Sequence, residues 1–339
     1  MKTEAPNPNT IVWFNEKFTT LGEANVNILT HALNYGTGVF EGIRGYFEEK
    51  QQDLFLVRPV EHYERWKRNA GILRIGIPRT AADLAALTAE LCLRNGFRSH
   101  VYVRPLAYKC SARIGVAPDE NDAYAIVVVP FGDYLDSAQG LKAGVVSWRR
   151  VEDTAIPSRA KICGAYVNSV LATDEARHNG HDEAIFLTEE GHVSEGATCN
   201  LFIFRNGKLV TPPSTDNILE GITRASIMDL ARNEMTLEVV ERSISRSELY
   251  VSDEVFFTGT AVEIAPIVAV DHRPVGNGEV GPVATELRRL YVEATRGRLP
   301  NYRRWLWPVY RTTAECSDRI LIPRFPAGRP CEGDPIMLV

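Results

Sequence analysis

The chain has 339 residues, of which 45% are hydrophobic, so it is long enough to bury the cores of two domains. Its formal net charge of −5 excludes the basic surface that nucleic acids or anionic membranes require, and we expect a small-molecule substrate. The amino terminus carries no apolar leader, and the longest apolar run, Ala123–Val129, is too short to cross a bilayer. We therefore expect a cytoplasmic protein without a membrane partner. The seven histidines form no H-x-x-x-H or Cys/His cluster, so no metal site is expected.

The elements predicted over residues 1–130 combine strand pairs with helices, which favours a small α+β domain. Residues 10–21 predict a hairpin that turns at Asn15-Glu16, and residues 39–46 predict a helix end that enters a strand. The other elements expected here are a strand at 53–57, a helix beginning at 58–59, a helix at 81–95, a strand at 101–106 that ends at a proline, and a strand at 124–129.

Residues 131–143 lose any hydrophobic period and predict an interdomain loop, followed by a larger domain at 144–310. Residues 311–339 contain four prolines and no period, and they predict a loosely ordered tail.

Short apolar runs within the second domain predict an antiparallel meander, because turn pairs separate them at Glu190-Gly191 and Asn206-Gly207. The later elements expected are a helix from 221 to 231, a strand pair around 267–275 that turns at 271–272, and a final amphipathic helix at 283–298.

Two features of this second domain point to a role in catalysis or ligand binding. Glu195 is a carboxylate at the end of the first hairpin, with small residues and no basic residue beside it. Gly221 precedes a predicted helix, where a glycine lets backbone N–H groups approach an anion. Each feature alone is usually a solvated turn residue or a helix cap; together they predict a positioned carboxylate and an anion-binding loop.

Lys161 and Arg58 are candidate functional cations. Small uncharged residues follow Lys161, and a pocket of that kind disfavours the ammonium form and leaves a neutral amine that attacks an aldehyde. The ordinary alternative is a solvated lysine at a loop end. Arg58 stands at a strand–helix junction, where its guanidinium reaches a phosphate or forms an ion pair with Glu61 or Glu64.

The pattern from Glu195 to Arg224 resembles the signature of the class IV, or fold type IV, pyridoxal-phosphate aminotransferases. It contains Glu195, Asn200-Leu201-Phe202, Leu209-Val210-Thr211 and Leu219-Glu220-Gly221-Ile222-Thr223-Arg224. Other blocks are similar to the branched-chain amino-acid aminotransferases, and the resemblance covers roughly residues 10–310. These blocks are Tyr35, Val39 to Arg44, Arg58, Tyr102 to Leu106, Arg150, Lys161, Tyr166 and Thr258 to Ala261.

The resemblance implies a mixed α+β fold of type IV, with a small α/β sandwich domain and a larger pseudo-barrel domain. It implies that Lys161 bonds covalently to pyridoxal 5′-phosphate, that Glu195 faces the pyridine nitrogen, and that Tyr166 approaches the phenolic oxygen. The other implied cofactor-binding residues are Arg58, Arg150, Gly221, Ile222, Thr223 and Thr260. The implied substrate-binding residues are Tyr35, Phe40, Tyr102, Arg104, Phe131, Tyr134, Thr260 and Ala261. Tyr35 is implied to come from a partner subunit, so a homodimer is the minimum expected unit.

The implied reaction is transamination of L-leucine, L-isoleucine and L-valine with 2-oxoglutarate. Other class IV members share the lysine and the glutamate: D-amino-acid aminotransferases, R-selective amine transaminases and aminodeoxychorismate lyases. The blocks at 39–44 and 102–106 favour the branched-chain enzymes. A cofactor-binding protein without catalysis is a further alternative, against which the presence of both Lys161 and Glu195 argues. Arg113 lies in a loop that departs from the family pattern, and it faces either solvent or the pocket.

Overall fold

A computed structural model of the chain describes residues 6–132 and 139–311. These residues divide into two compact units. The first unit comprises residues 6–132, 161–164 and 295–311, and the second comprises residues 139–160 and 165–294. The division falls within the stretch predicted as an interdomain loop, but the short segment that contains Lys161 and the chain after residue 294 belong to the first unit. Of the predicted tail, only residue 311 is described.

The first unit contains one sheet and three α-helices among its described residues. In chain order these are β1 Ile11–Phe14, β2 Lys17–Thr20, α1 His31–Tyr35, β3 Gly38–Phe40, β4 Ile43–Glu48, β5 Asp53–Val57, α2 Pro59–Ile72, α3 Ala81–Asn95, β6 Val101–Lys109 and β7 Asp122–Pro130. The strand order is β17-β5-β4-β6-β7-β1-β2, where β17 is Leu306–Pro308 and β3 also pairs with β6. The helices α2 and α3 pack against each other, and Tyr63 and Trp66 of α2 are fully buried.

Several local expectations for this unit are confirmed. The hairpin β1–β2 turns at Asn15 and Glu16, both of which have positive φ angles. Helix α2 begins at Pro59, and α3 occupies the predicted range 81–95. A capping box starts α3, because Thr80 Oγ1 accepts the N–H of Asp83 at 3.1 Å while the Asp83 carboxylate accepts the N–H of Thr80 at 3.2 Å.

The expected strand end at Pro105 is wrong, because β6 continues to Lys109. The expected helix end within residues 39–46 is also wrong, since this stretch forms β3 and β4, separated at Glu41-Gly42. The two errors have one cause. Pro105 lies opposite the break between β3 and β4, and its carbonyl accepts the N–H of Glu41 at 3.0 Å. Its missing N–H therefore faces a gap in the ladder, where a proline is tolerated.

The second unit is built on a mixed sheet with helices packed on it. Its elements are β8 Leu141–Arg149, α4 Tyr166–His178, β9 Glu183–Leu187, β10 Val193–Gly196, β11 Asn200–Arg205, β12 Lys208–Thr211, α5 Ile222–Glu234, β13 Glu238–Glu241, β14 Glu254–Gly259, β15 Glu263–Val270, β16 Arg273–Pro274 and α6 Pro282–Thr295. The strand order is β10-β9-β8-β15-β14-β11-β12-β13, and β16 pairs with β15. A cluster of buried apolar side chains, which includes Leu201, Phe257 and Ile267, forms its core.

The predicted meander is wrong in its pairing. The hairpins β9–β10 and β11–β12 both form, but β11 pairs with β14 instead of β10, so the hairpins lie in different parts of the sheet. The predicted turn at Asp271–His272 is confirmed between β15 and β16. No helix in the described part of the chain combines the length and apolar character needed to span a membrane.

Candidate active site

Glu195 is held through both of its carboxylate oxygens. It lies on β10 and is 5% exposed. Its Oε1 is 2.8 Å from Nη2 of Arg150. Its Oε2 accepts hydrogen bonds from Nδ2 of Asn200 at 2.9 Å and from the backbone N–H of Leu219 at 3.1 Å. These charge-assisted contacts fix the orientation of a buried carboxylate within the second unit.

Asn200 was not selected as a site residue from the sequence, although it belongs to the pattern that carries the resemblance. Its amide donates to the carbonyl of Leu219 at 2.8 Å as well as to Glu195, and its side chain is buried. The available signal is a polar residue directly before the apolar run Leu201–Phe204. A buried polar side chain in such a position needs hydrogen-bond partners, and here they belong to the site.

Arg150 follows β8 and is anchored by more than its ion pair with Glu195. Its backbone N–H donates to the carbonyl of Leu187 at 2.9 Å, and its Nε donates to the carbonyl of Asn217 at 3.2 Å. Its guanidinium carbon also lies 5.7 Å from the centre of the Phe186 ring. Arg150 was predicted to bind the cofactor; within the second unit, its contacts position Glu195.

The start of helix α5 is a candidate anion site. Gly221 occupies the N-cap position without a side-chain cap, so the first N–H groups of the helix, including those of Ile222 and Thr223, lack intrahelical acceptors. A Cβ atom at Gly221 would lie 2.0 Å from Oδ1 of Asn200. Glycine is thus required at this position, and Asn200 connects the anion site to Glu195.

Three other predicted residues of the second unit lie at the ends of elements. Thr260 and Ala261 follow β14, where the chain turns into β15, and both are partly buried. Tyr166 is the first residue of α4 and is also partly buried.

Lys161 lies in the first unit, in a segment fixed by neighbouring backbone. Its carbonyl accepts the N–H of Phe40 at 3.1 Å, and the next residue forms a β-bridge with Val39. Gly164 donates to the carbonyl of Gly36 at 3.2 Å, and a Cβ atom on Gly36 would lie only 2.7 Å from the Gly164 Cα. The side chain is partly buried, with Nζ 5.1 Å from the centre of the Phe40 ring.

Four predicted substrate-binding residues of the first unit lie together. Arg104 places its guanidinium carbon 4.5 Å from the Phe40 ring centre and 5.2 Å from that of Tyr102, and its Nη2 donates to the Tyr102 hydroxyl at 3.1 Å. The Tyr102 and Phe131 ring centres are 5.0 Å apart. Through Phe40 this aromatic group also adjoins Lys161. It offers flat apolar surfaces beside several cations, since the guanidinium carbon of Arg44 also lies 4.8 Å from the Phe131 ring centre.

Tyr35 does not share these contacts. Its hydroxyl accepts the N–H of Gly115 at 2.9 Å, and its ring lies 4.7 Å from that of His31. The loop between β6 and β7, to which Gly115 belongs, also contains Arg113. The Arg113 side chain is 41% exposed, and its Nε lies 3.2 Å from a carboxylate oxygen of Asp119. Arg113 therefore has the solvent-facing position that was one of its two expected alternatives.

Arg58 adopts a left-handed backbone conformation, with φ 48° and ψ 43°, at the N-cap of α2. A non-glycine residue in this region stores strain and is frequently functional. Its Nε contacts Glu61 at 3.0 Å, so the expected alternative ion pair is present. Its guanidinium carbon is 5.3 Å from the Trp305 ring centre.

A second buried carboxylate was not anticipated from the sequence. Glu41 is fully buried, and its carboxylate receives two hydrogen bonds from Arg65, from Nε at 2.7 Å and from Nη2 at 2.8 Å. Nδ1 of His62 lies 3.0 Å from Oε2. Burial raises the pKa of Glu41, but Arg65 and His62 outweigh burial and hold that pKa well below its ordinary value. Burial lowers the pKa of His62 despite its contact with Glu41.

The remaining expectations concern Tyr134 and metals. Tyr134 lies outside the described residues. Within the described ranges, no group of three or more histidine, cysteine, aspartate or glutamate side chains is arranged to hold a metal ion.

Comparisons with known proteins all indicate one family. The model of amino-transferase class IV matches residues 38–270. A probable branched-chain-amino-acid aminotransferase of Aquifex aeolicus (strain VF5) is 45% identical over 299 residues, which cover 88% of this chain and 96% of that protein.

Two solved structures extend the similarity to three dimensions. The branched-chain aminotransferase of the thermophilic archaeon Thermoproteus uzoniensis, solved with norvaline, has a TM-score of 0.85 and 42% identity, covering 89% of this chain and 99% of its own. The T.th. branched-chain amino acid aminotransferase, complexed with N-(5′-phosphopyridoxyl)-L-glutamate, has a TM-score of 0.83 and 39% identity. The match covers 88% of this chain and 98% of that enzyme's chain.

Proposed function

Because this chain belongs to the class IV aminotransferase family, we propose that it transfers the amino group of branched-chain L-amino acids to 2-oxoglutarate with pyridoxal 5′-phosphate as cofactor. Membership also confirms the expected α+β fold of type IV. The observation that carries the proposal is the buried Glu195. Arg150 and Asn200 hold it beside the start of α5, where the contact with Asn200 requires a glycine.

The residues of each unit fit pyridoxal 5′-phosphate. The first N–H groups of α5 and the hydroxyls of Thr223 and Thr260 suit a dianionic phosphate. Arg58 supplies a cation of the kind that binds phosphate. The cofactor, when bound, supplies an electron sink for the bond that breaks at the substrate Cα.

With the cofactor bound, each functional side chain would have a distinct task. Glu195 would hold a proton at the pyridine nitrogen, and Arg150 and Asn200 keep Glu195 oriented for this. Lys161 would hold the cofactor covalently, and its Nζ, when released, would take the proton from the substrate Cα. Tyr166 would hold the phenolic oxygen of the cofactor through a hydrogen bond.

The substrate class follows from the aromatic group in the first unit. Phe40, Tyr102 and Phe131 offer apolar surface to an uncharged side chain, and the relatives are named for branched-chain amino acids. A pocket of this kind discriminates one methylene by about 1–3 kcal/mol, so leucine, isoleucine and valine should all react. The glutamate moiety bound in the T.th. enzyme structure supports 2-oxoglutarate as the amino acceptor.

A homodimer is the proposed assembly. Apolar side chains near Tyr35 in the first unit are exposed, including Ile28 at 78%, Leu33 at 64%, Ile114 at 81% and Val116 at 76%. An exposed group of this kind marks an interaction surface, and the resemblance implies that Tyr35 serves a partner subunit. With a homodimer as the minimum unit, light scattering should give at least twice the chain mass; a fully active species of single-chain mass would contradict this assembly.

We further propose a cytoplasmic location, because the longest apolar run in the sequence, at residues 123–129, is too short to cross a bilayer.

The assay that tests the function compares amino donors at a fixed 2-oxoglutarate concentration. L-leucine, L-isoleucine and L-valine should each yield L-glutamate, whereas D-alanine and an R-configured amine should not. Activity with the last two donors alone would contradict branched-chain specificity and favour a D-amino-acid or amine transaminase. Pyridoxal 5′-phosphate binding with no turnover of any donor would favour the non-catalytic alternative.

A further inference from the structure

Arg58 has a strained backbone that its neighbours hold in place. Its φ of 48° and ψ of 43° lie in the left-handed region, which is unfavourable for a residue other than glycine. Such a conformation persists only where surrounding contacts enforce it. The carbonyl of Arg58 accepts the N–H of His62 at 3.1 Å, and its N–H donates to the carbonyl of Trp305 at 2.5 Å. The start of α2 and Trp305 therefore fix the two peptide groups of Arg58.

Trp305 also contacts the side chain of Arg58. The guanidinium carbon lies 5.3 Å from the centre of the Trp305 ring. Trp305 is 2% exposed and the Arg58 side chain is 15% exposed, so this cation–π contact is largely removed from water, where such contacts are strongest. A ring contact of this kind restrains a guanidinium without an acceptor atom, whereas the contact of Glu61 engages Nε. One residue thus restrains both the backbone and the side chain of Arg58.

Trp305 is itself held in place by its neighbours in the first unit. Its ring centre lies 4.5 Å from that of Tyr302. The next residue, Leu306, begins β17 and lies opposite Val57 in the antiparallel pair β17–β5. Val57 directly precedes Arg58, so the strand register brings Trp305 to the end of β5 at which Arg58 stands.

The other end of this strand pair is also fixed. Oδ1 of Asp53, the first residue of β5, accepts the N–H groups of Val309 and Tyr310 at 3.1 and 2.7 Å. Asp53 is 0% exposed, and hydrogen bonds to a carboxylate are stronger than those to a neutral acceptor. The segment that follows Trp305 is therefore docked along the length of β5.

We propose that Trp305 is a positioning residue for cofactor binding, which holds the guanidinium of Arg58 in the orientation that binds the phosphate group. This inference rests on the proposed function, in which Arg58 is a phosphate ligand. A cation that is already oriented loses less conformational freedom when the anion binds, so its restraint increases affinity. Trp305 should therefore tighten the binding of a phosphorylated ligand, and it should do so through Arg58.

The test measures the Kd for pyridoxal 5′-phosphate of the full chain stripped of cofactor. In Trp305→Leu the backbone carbonyl remains and the aromatic ring is lost, so the Kd should increase about fivefold, within the range of a cation–π contact. Trp305→Phe keeps an aromatic ring and should restore most of the affinity. Both variants lose buried volume and should melt below the wild type, so a purely structural role would not separate their affinities.

Pyridoxal and a variant of Arg58 show whether the effect is directed at the phosphate. Pyridoxal lacks the phosphate group, and its Kd should be the same for Trp305→Leu and the wild type. Arg58→Gln removes the cation and should itself weaken pyridoxal 5′-phosphate binding. Adding Trp305→Leu to Arg58→Gln should cause no further loss, because two residues that act through one contact are not additive.

Trp13→Leu is a matched control. Trp13 lies on β1 of the same sheet and is 7% exposed, and the guanidinium carbon of Arg79 lies 4.9 Å from its ring centre. The same substitution there removes an equivalent ring from an arginine that is paired with Glu16. This variant should melt at a lower temperature than the wild type and bind pyridoxal 5′-phosphate with an unchanged Kd.

An unchanged Kd for pyridoxal 5′-phosphate in Trp305→Leu would overturn the inference. An equal loss of affinity for pyridoxal, an equal loss in Trp305→Phe or a further loss in the Arg58→Gln background would also overturn it. If Trp305→Leu does not fold, Trp305→Met gives the same comparison, because its longer, flexible side chain adapts to irregular gaps without a ring. A wild-type protein that binds no pyridoxal 5′-phosphate, or unchanged affinity in Arg58→Gln, would instead contradict the proposed function, so the two failures are distinguishable.

Discussion

Glu41 and Glu195 are both buried glutamates paired with arginine, yet their surroundings differ in kind. In the first unit, Arg65 engages both carboxylate oxygens of Glu41, and His62 and the N–H of Gly42 add further contacts. Arg65 and His62 belong to α2 and Gly42 to the connection between β3 and β4, so these contacts join the connection to the helix. Glu195 in the second unit is instead held by Asn200, against which the glycine-requiring start of α5 packs.

The comparison shows that burial and arginine pairing do not by themselves mark a functional carboxylate. The pKa of Glu41 is held well below its ordinary value, but a structural ion pair displaces a pKa as effectively as a catalytic environment does. The distinguishing features of Glu195 are its neighbours. Near Glu195 the start of α5 offers backbone donors to an anion, whereas the contacts of Glu41 secure β3 and β4 to α2.

The largest expected effect is that of Glu195→Gln on turnover. Removing the charge that keeps the pyridine nitrogen protonated should lower kcat by about 10²–10³-fold, the typical effect of losing one electrostatic stabiliser. The cofactor should still bind, and the melting temperature should fall less than in Glu41→Gln. Steady-state kinetics and thermal unfolding measure the two quantities, and an unchanged kcat would remove Glu195 from the chemistry.

The reverse pattern is expected for Glu41→Gln. Arg65, with 6% side-chain exposure, would lose its charged partner, and breaking a buried pair in this way costs about 3 kcal/mol of unfolding free energy. Denaturant unfolding measures that loss. The folded fraction should keep the wild-type kcat; a large drop in kcat with unchanged stability would reverse the roles assigned to the two glutamates.

A smaller, pH-dependent effect should distinguish the wild type from Glu41→Gln. The pKa of Glu41 is lowered by folding, so its stabilisation is fully present above the pKa of an unfolded glutamate, about 4.3, and is lost as the pH falls toward the folded value. The difference in unfolding free energy between the two proteins should therefore be constant from pH 8 to about 6 and shrink below about 5. A difference that grows on acidification would have the wrong sign.

Local features of the sequence predicted the elements well. The helix at 81–95 was correct because its apolar period and its start depend on residues within one or two turns. The hairpin at Asn15-Glu16 and the turn at Asp271-His272 were correct for the same reason.

Long-range pairing could not be predicted in this way. The partner strand of β11 is β14, some fifty residues later, and nothing within either strand specifies the other. Pro105 is accommodated only because β3 and β4 separate opposite it. For the site, resemblance indicated Glu195 and Gly221, but the contacts of Asn200 with Leu219 and Gly221 depend on tertiary packing that no local signal contains.

The central claim is that Lys161 carries the cofactor, and borohydride reduction followed by peptide mass analysis tests it most directly. Reduction of the wild-type holoprotein should leave the phosphopyridoxyl group on the peptide that contains Lys161. Lys161→Ala should bind pyridoxal 5′-phosphate without a reducible bond and lose turnover by about 10²–10⁴-fold or more, since base and covalent anchor are removed together. A phosphopyridoxyl label on another lysine, or near-normal turnover of Lys161→Ala, would contradict the account.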